Sequence, residues 1–215
     1  MNILDLGAQG TIALNHFVNL DLLDSTSVII DAGANVGAFI KKMRTLTNSK
    51  IYAVECSIKN CDIIKGENFE NIELIQKALV GVNTGPVTFF DYAGPLKEDG
   101  YHRYHQWSNI YGDSYEFLSK KPEVEIKQYN VEPLTLDEMI EYYGFRSIDY
   151  LKMDIEGAEY EVVEHMSTKT ASIIKQMSME LHSDDASVNA LLCSNLDKLG
   201  FNVLVEKAEV YAWPK

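Results

Sequence analysis

The stretch VIIDAGANVG, residues 28–37, constrains the fold of this chain more than any other feature of the sequence. Its first half is an apolar, β-branched run typical of a buried strand, and Gly33 and Gly37 mark a tight turn. Apolar residues then recur every three or four positions, which predicts a helix with one buried face. KIYAVE at 50–55 predicts the next strand. A strand, turn, helix and strand in this order form the unit of a parallel α/β sheet.

The rest of the chain continues this alternation of strand patterns and helical patterns. Residues 86–93 and 123–130 predict an antiparallel pair, and Thr135 with Glu138 has the spacing of a helix capping box. The other predicted strands and helices lie at 58–68, 72–80, 147–154, 157–166, 175–182, 186–199, 201–206 and 208–213. We therefore expect an α/β fold, a Rossmann-like and mostly parallel sheet with helices on both faces and an additional antiparallel strand pair.

A single domain over residues 1–215 is expected, because the chain has 215 residues and no linker or repeat. An irregular, aromatic insertion at about 94–122 interrupts it and includes Tyr111. Long irregular segments in compact domains are often lids or binding loops. The alternative is a hydrophobic cluster that only holds the insertion in place, and the sequence does not separate the two.

The charge of the chain bears on its partners. It carries 19 basic and 32 acidic residues, a net charge of -13, and basic residues occur in pairs at most. Phosphate backbones are bound through clustered lysines and arginines. We therefore expect no nucleic-acid partner and a neutral or cationic small-molecule substrate.

Location is predicted from what the sequence lacks. It contains no apolar run of about 18 residues, which predicts no membrane span. The first residues do not have the pattern of a signal peptide, and the three cysteines are odd in number and scattered. These features predict a cytoplasmic protein.

Two glycine turns, at 3–10 and 28–37, compete for the role of a nucleotide-binding turn. Only the second has a complete unit around it, with Glu55 at the end of the following strand, where an acid can accept hydrogen bonds from ribose hydroxyls. Asn35 replaces the middle glycine with which dinucleotide-binding turns approach a pyrophosphate. The turn therefore favours S-adenosylmethionine, which has a ribose and no pyrophosphate, over a nicotinamide dinucleotide.

Several motifs, taken together, resemble the FkbM family of S-adenosylmethionine-dependent methyltransferases over residues 27–182. In chain order they are VIIDAGANVGAF, IYAVECS, ALVG, PLTLDEM, DYLKMDIEGAEYEVV and MELH. The resemblance implies a class I methyltransferase fold with a seven-stranded sheet and one antiparallel strand. It also implies methylation of a hydroxyl group, often on a sugar or natural product.

The resemblance further implies which residues bind S-adenosylmethionine. The glycine turn would line the methionine end, Glu55 would hold the ribose, and Asp154 would lie near the transferable methyl group. The implied cofactor-binding residues are Asp31, Gly33, Ala34, Asn35, Gly37, Glu55, Cys56, Ser57, Lys77, Ala78 and Asp154.

The stretch LKMDIEGAEYEVVEHM at 151–166 holds five carboxylates in sixteen positions. If the strand persists to its end, Asp154 and Glu156 share one face of it. Glu159 and Glu161 fall at the start of the next helix, where acidic side chains favour the helix dipole. We interpret these two as structural, and Glu164 as solvent-facing.

Glu180 and His182 share a face of the neighbouring strand and should approach Asp154 and Glu156 at the carboxyl edge of the sheet. His182, with an ordinary pKa near 6.5, is the expected general base, and Asp154 is the other catalytic residue. Glu156, Glu180 and Tyr111 are expected to bind substrate. Two alternatives stay open: Glu156 pins the turn by accepting backbone N–H groups, and Glu180 orients His182. Asp154, Glu180 and His182 have the chemistry of a metal site. Nothing in their spacing demands one, and we expect no metal.

The sequence thus predicts a methyltransferase that uses S-adenosylmethionine, most simply an O-methyltransferase acting on a small hydroxylated acceptor such as a carbohydrate. A nicotinamide-dependent oxidoreductase and a cofactor-binding domain without methyl transfer are the alternatives. The oligomeric state is not predicted.

Overall fold

The structure, a computed structural model, describes residues 10–93, 108–112 and 115–215. The strands in chain order are β1 (Gly10–Ala13), β2 (His16–Asn19), β3 (Val28–Ala32), β4 (Lys50–Val54), β5 (Ile72–Ile75), β6 (Ala78–Leu79), β7 (Val87–Ala93), β8 (Glu125–Val131), β9 (Pro133–Leu134), β10 (Tyr150–Met153), β11 (Met177–Glu180), β12 (Phe201–Glu206) and β13 (Glu209–Pro214). The helices are α1 (Ala38–Arg44), α2 (Ile58–Glu67), α3 (Tyr115–Leu118), α4 (Leu136–Tyr143), α5 (Glu159–His165), α6 (Thr168–Ala171) and α7 (Ala186–Lys198).

Seven of these strands form the central sheet, in the order β12-β13-β11-β10-β3-β4-β5. Strand β13 runs antiparallel to both of its neighbours, and the contacts between the other strands are parallel. Strands β7 and β8 form a separate antiparallel pair, as the sequence predicts. The expected fold class is therefore confirmed.

Both faces of the sheet are covered because its central strands are apolar on both sides. Ile29 packs with the residues of α1 and α2 on one face, whereas Ile30 packs with those of α4, α5 and α7 on the other. Such double burial is typical of parallel sheets. Because both faces are covered, ligands bind at the carboxyl ends of the strands and not on the faces of the sheet.

The glycine turn after β3 has a steric cause. Gly33 adopts a φ of +76°, and a Cβ atom there would lie 1.7 Å from the backbone oxygen of Asp154. Only glycine allows this approach. The turn after β3 and the end of β10 are consequently held together at the carboxyl edge of the sheet.

Several local predictions are confirmed and others need correction. The capping box of Thr135 and Glu138 is present at the start of α4. The prediction of one strand at 72–80 is wrong. The segment forms two strands, β5 and β6, because β6 leaves the central sheet and pairs with β9. The strands predicted to end at 154 and 182 end earlier, so Asp154 and His182 follow β10 and β11 instead of lying in them.

Parts of some predictions fall outside the described residues. These are nearly all of the first glycine turn at 3–10 and much of the insertion at 94–122. The expectation of a single domain over residues 1–215 stays a prediction. Within the described ranges, no helix is both long and apolar enough to cross a membrane.

Candidate active site

An open pocket lies at the carboxyl ends of β3, β4 and β10. This is the edge at which open α/β sheets bind ligands. The predicted site residues that line the pocket are Gly33, Asn35, Glu55, Cys56, Lys77, Ala78, Asp154 and Glu156. The predicted site residues outside this lining are Asp31, Ala34, Gly37, Ser57, Tyr111, Glu180 and His182.

The described part of the insertion also reaches the pocket. Residues 108–110 form part of its lining, and Asn109 pairs with Phe90 of β7 through two backbone hydrogen bonds. Tyr111 is half-exposed, and its hydroxyl group donates to Glu161 over 3.4 Å. Residues 108–110 of the insertion therefore form part of the pocket wall.

Glu55 ties the glycine turn to the start of α2. Its two carboxylate oxygens accept from the backbone N–H groups of Asn35 and Ser57, both at 2.7 Å. Burial raises the pKa of Glu55 to about 7, although these hydrogen bonds oppose the shift. Glu55 thus lies in the pocket wall with its carboxylate held by the turn, and its predicted role with a ribose stays a prediction.

A buried ion pair lies beneath the glycine turn. Asp31 and Lys152 are directly opposite each other on β3 and β10, and Lys152 Nζ is 3.0 Å from Asp31 Oδ1. Lys152 Nζ also donates to the backbone oxygen of Gly33 at 2.9 Å. Burial would lower the pKa of Lys152, but Asp31 and Asp154 outweigh it and raise that pKa. Asp31 is fully buried and does not line the pocket. It instead pairs with Lys152, which donates to the backbone of the glycine turn.

Asp154 is surrounded by three cationic or potentially cationic side chains. Its Oδ2 is 3.8 Å from Lys152 Nζ and from His16 Nε2, and its Oδ1 is 3.6 Å from His182 Nε2. Burial would raise the pKa of Asp154, but Lys152, His16 and His182 hold it well below its usual range. Asp154 is consequently ionised at any physiological pH and presents a fixed negative charge to the pocket.

His16 was not predicted to belong to the site. It is buried on β2, and its Nδ1 lies 2.9 Å from Ser178 Oγ and 3.1 Å from Glu209 Oε2. Burial would lower the pKa of His16, but Asp154 and Glu209 raise it. No signal in the sequence reveals this residue, because it comes from a hairpin distant from every motif.

His182 faces carboxylates on several sides. Its Nε2 is 3.6 Å from Glu156 Oε2 and 4.0 Å from Glu180 Oε2, in addition to Asp154. Burial would lower the pKa of His182, but the carboxylates of Glu159, Glu156 and Asp154 raise it to about 9. The imidazole is therefore protonated at neutral pH, which the sequence could not indicate.

The backbone of Glu156 has a φ of +55°, which is unusual for a residue other than glycine. Burial raises the pKa of Glu156 to about 8; His182 opposes that shift, and Asp154, Glu159 and Glu180 add to it. The pKa of Glu180, which is more exposed, is raised for similar reasons. Glu156 and His182, which lie 3.6 Å apart, therefore titrate as a coupled pair at mildly alkaline pH.

The prediction for Glu159 needs correction, since it is more than a partner of the helix dipole. Its side chain is fully buried, and its carboxylate accepts from the backbone N–H groups of Ile155 at 2.5 Å and Gly157 at 2.9 Å. Glu159 thus pins the turn, the function that the sequence left open for Glu156. Glu164 is exposed, as expected.

Asp154, Glu180 and His182 offer three potential metal-ligand atoms within 4.8 Å of one another. They are the set considered from the sequence. The structure brings them together, and the expectation of no metal stays a prediction.

Comparison with known proteins agrees with this architecture. A family model described as the methyltransferase FkbM domain matches residues 31–203. Methyltransferase sdnD of Sordaria araneosa is 24% identical over 220 residues, which cover 91% of this chain and 81% of the relative.

Two solved structures share the fold. Methyltransferase FkbM from Methylobacillus flagellatus KT has a TM-score of 0.54 at 10% identity, over 89% of this chain and 44% of that one. The METTL16 methyltransferase domain has a TM-score of 0.50 at 14% identity, over 91% of this chain and 62% of that one. The fold is therefore that of class I methyltransferases.

Proposed function

The chain belongs to the methyltransferase FkbM family, and we propose that it methylates a hydroxyl group of a small molecule or a sugar. Family membership makes S-adenosylmethionine the cofactor, as the sequence predicts, and sets the nicotinamide alternative aside. The net charge of -13 supports a small acceptor over a nucleic acid.

The residues around the pocket fit this cofactor. When bound, S-adenosylmethionine supplies a methyl group on a positively charged sulfur. Glu55 would accept hydrogen bonds from the ribose, and Gly33 and Asn35 would border the methionine end. Cys56 and the segment 77–78 would border the adenine. The ionised Asp154 complements a cationic ligand at the same edge of the sheet.

The observation that carries the proposal is the contact of His182 with Asp154, which lines this pocket; the distance from the Asp154 carboxylate oxygen to His182 Nε2 is 3.6 Å. An alcohol attacks a methyl group poorly unless its proton is removed as the new bond forms. As the acceptor oxygen gains the methyl group, we assign its proton to Nε2 of a neutral His182. Glu156, Glu180 and Tyr111 would accept or donate hydrogen bonds to other polar groups of the acceptor and hold it in line.

Isotope-labelled methyl transfer tests this proposal. The protein is incubated with methyl-labelled S-adenosylmethionine and, separately, with sugars, aliphatic alcohols, phenols, amines and RNA, and the labelled atom is located by mass spectrometry and NMR. We expect label on oxygen of a small acceptor. Label on nitrogen or on RNA would overturn the proposal. Calorimetric binding of the cofactor without transfer to any of these acceptors would favour a binding-only domain.

The single-turnover rate of methyl transfer should rise with pH. The base must be neutral, and the pKa of His182 is about 9, so below it the competent fraction grows about tenfold per pH unit. We expect the rate to increase from pH 7 and to level off near pH 9. The His182→Gln variant should be slower, and its profile should lack this rise. A flat profile for the wild-type protein would contradict His182 as the proton acceptor.

A further inference from the structure

Glu159 is a fully buried carboxylate whose partners are unusual. Its oxygens accept from the backbone N–H groups of Ile155 and Gly157, and Oε1 lies 3.3 Å from His182 Nδ1. Among the described residues, no lysine or arginine lies within ion-pair distance of it, so His182 is its cationic partner. A buried carboxylate is a costly way to hold a turn if holding the turn is its whole purpose.

The two nitrogens of His182 lie in different surroundings. Nδ1 is buried and lies at ion-pair distance from Glu159 Oε1, without the alignment of a hydrogen bond. Nε2 faces Asp154 at the pocket, together with Glu156 and Glu180. One ring nitrogen is thus directed inward at a fixed charge, and the other is directed at the site of the proposed reaction.

We propose that Glu159 is a positioning residue, which holds His182 with its Nδ1 proton directed inward so that Nε2 is the nitrogen that receives the acceptor's proton. The same carboxylate fixes the turn at 155–157, so one side chain sets the relative placement of Asp154, Glu156 and His182. This inference rests on the proposed function, in which His182 accepts the proton.

The charge of Glu159 has a measurable consequence for His182. The titratable groups that face His182 come from four elements: Asp154 after β10, Glu156 in the turn, Glu159 from α5 and Glu180 from β11. Glu159 is the nearest of these carboxylates and is fully buried, so solvent screens it least. Removal of its charge should therefore make His182 lose its proton at lower pH.

The Glu159→Gln variant tests this directly. Glutamine keeps an oxygen that accepts from the turn but removes the negative charge. NMR titration of the His182 ring, assigned by the signal that His182→Gln lacks, should show a pKa at least one unit lower than in the wild type. The pH at which the methyl-transfer rate levels off should fall by a similar amount. The matched control is Glu164→Gln, which makes the same charge change on the exposed side of α5 and should shift neither.

An unchanged His182 pKa in folded Glu159→Gln would overturn the inference. So would a lower rate with an unmoved pH profile, the result expected of a purely structural residue. If Glu159→Gln does not fold, a measurement on the wild-type protein still tests the inference. Above its pKa, the neutral His182 ring should carry its proton on Nδ1 in long-range ¹H–¹⁵N spectra, and a proton on Nε2 would refute the inference. Absence of methyl transfer in the wild type would instead count against the proposed function, because the NMR measurements need no turnover.

Discussion

Replacement of Asp154 by asparagine should lower the single-turnover rate of methyl transfer on the order of 100-fold or more. Asparagine has nearly the same shape but no charge, so it cannot complement a cationic ligand. The three groups around it, Lys152, His16 and His182, would then face one another without their shared anion. We also expect affinity for S-adenosylmethionine to fall about tenfold, because a fixed opposite charge in a partly buried pocket is weakly screened.

Stopped-flow or quench-flow rates and calorimetry measure the two effects separately, at a temperature where circular dichroism shows that the variant is folded. Asp184→Asn is the matched control, since Asp184 is an exposed aspartate close in sequence to His182. Equal rates for Asp154→Asn and the wild type would remove Asp154 from the catalytic residues.

The features that the sequence predicts well are those determined by neighbours along the chain. The glycine turn, Glu55 twenty residues after Asn35 and the capping box at Thr135 all depend on local spacing. Eight of the site residues expected from the sequence and from the family resemblance line one pocket, and most of them follow β3, β4 or β10, whose carboxyl ends meet at one edge of the parallel sheet.

The features that sequence reasoning missed depend on register and on packing between distant segments. Lys152 belongs to a quoted motif, but its partner Asp31 emerges only once β3 and β10 are aligned. His16 comes from a hairpin that packs beside β11 and Glu209. Glu159 has a good local explanation as the start of a helix, and its burial against His182 is a tertiary feature. Local patterns thus locate the pocket, whereas its charge balance comes from long-range contacts.

Lys152 is the cation that Asp31 and Asp154 share. Its replacement by methionine should lower the free energy of unfolding by about 3–5 kcal/mol. Methionine fills a similar volume beside Phe39, over whose ring Lys152 Nζ lies at 5.7 Å. The loss comes from Asp31, which would keep its buried carboxylate without a cation. Urea denaturation measures it, and the control Lys127→Met, at an exposed pair with Glu125, should cost at most about 1 kcal/mol.

The double variant Asp31→Asn/Lys152→Met separates the loss of the ion pair from simple damage to the core. If an uncompensated buried charge causes the loss, removal of the second charge should restore a large part of the stability, although each single variant is destabilised. If the losses of unfolding free energy in the two single variants instead add, then Asp31 and Lys152 contribute independently and are not energetically coupled.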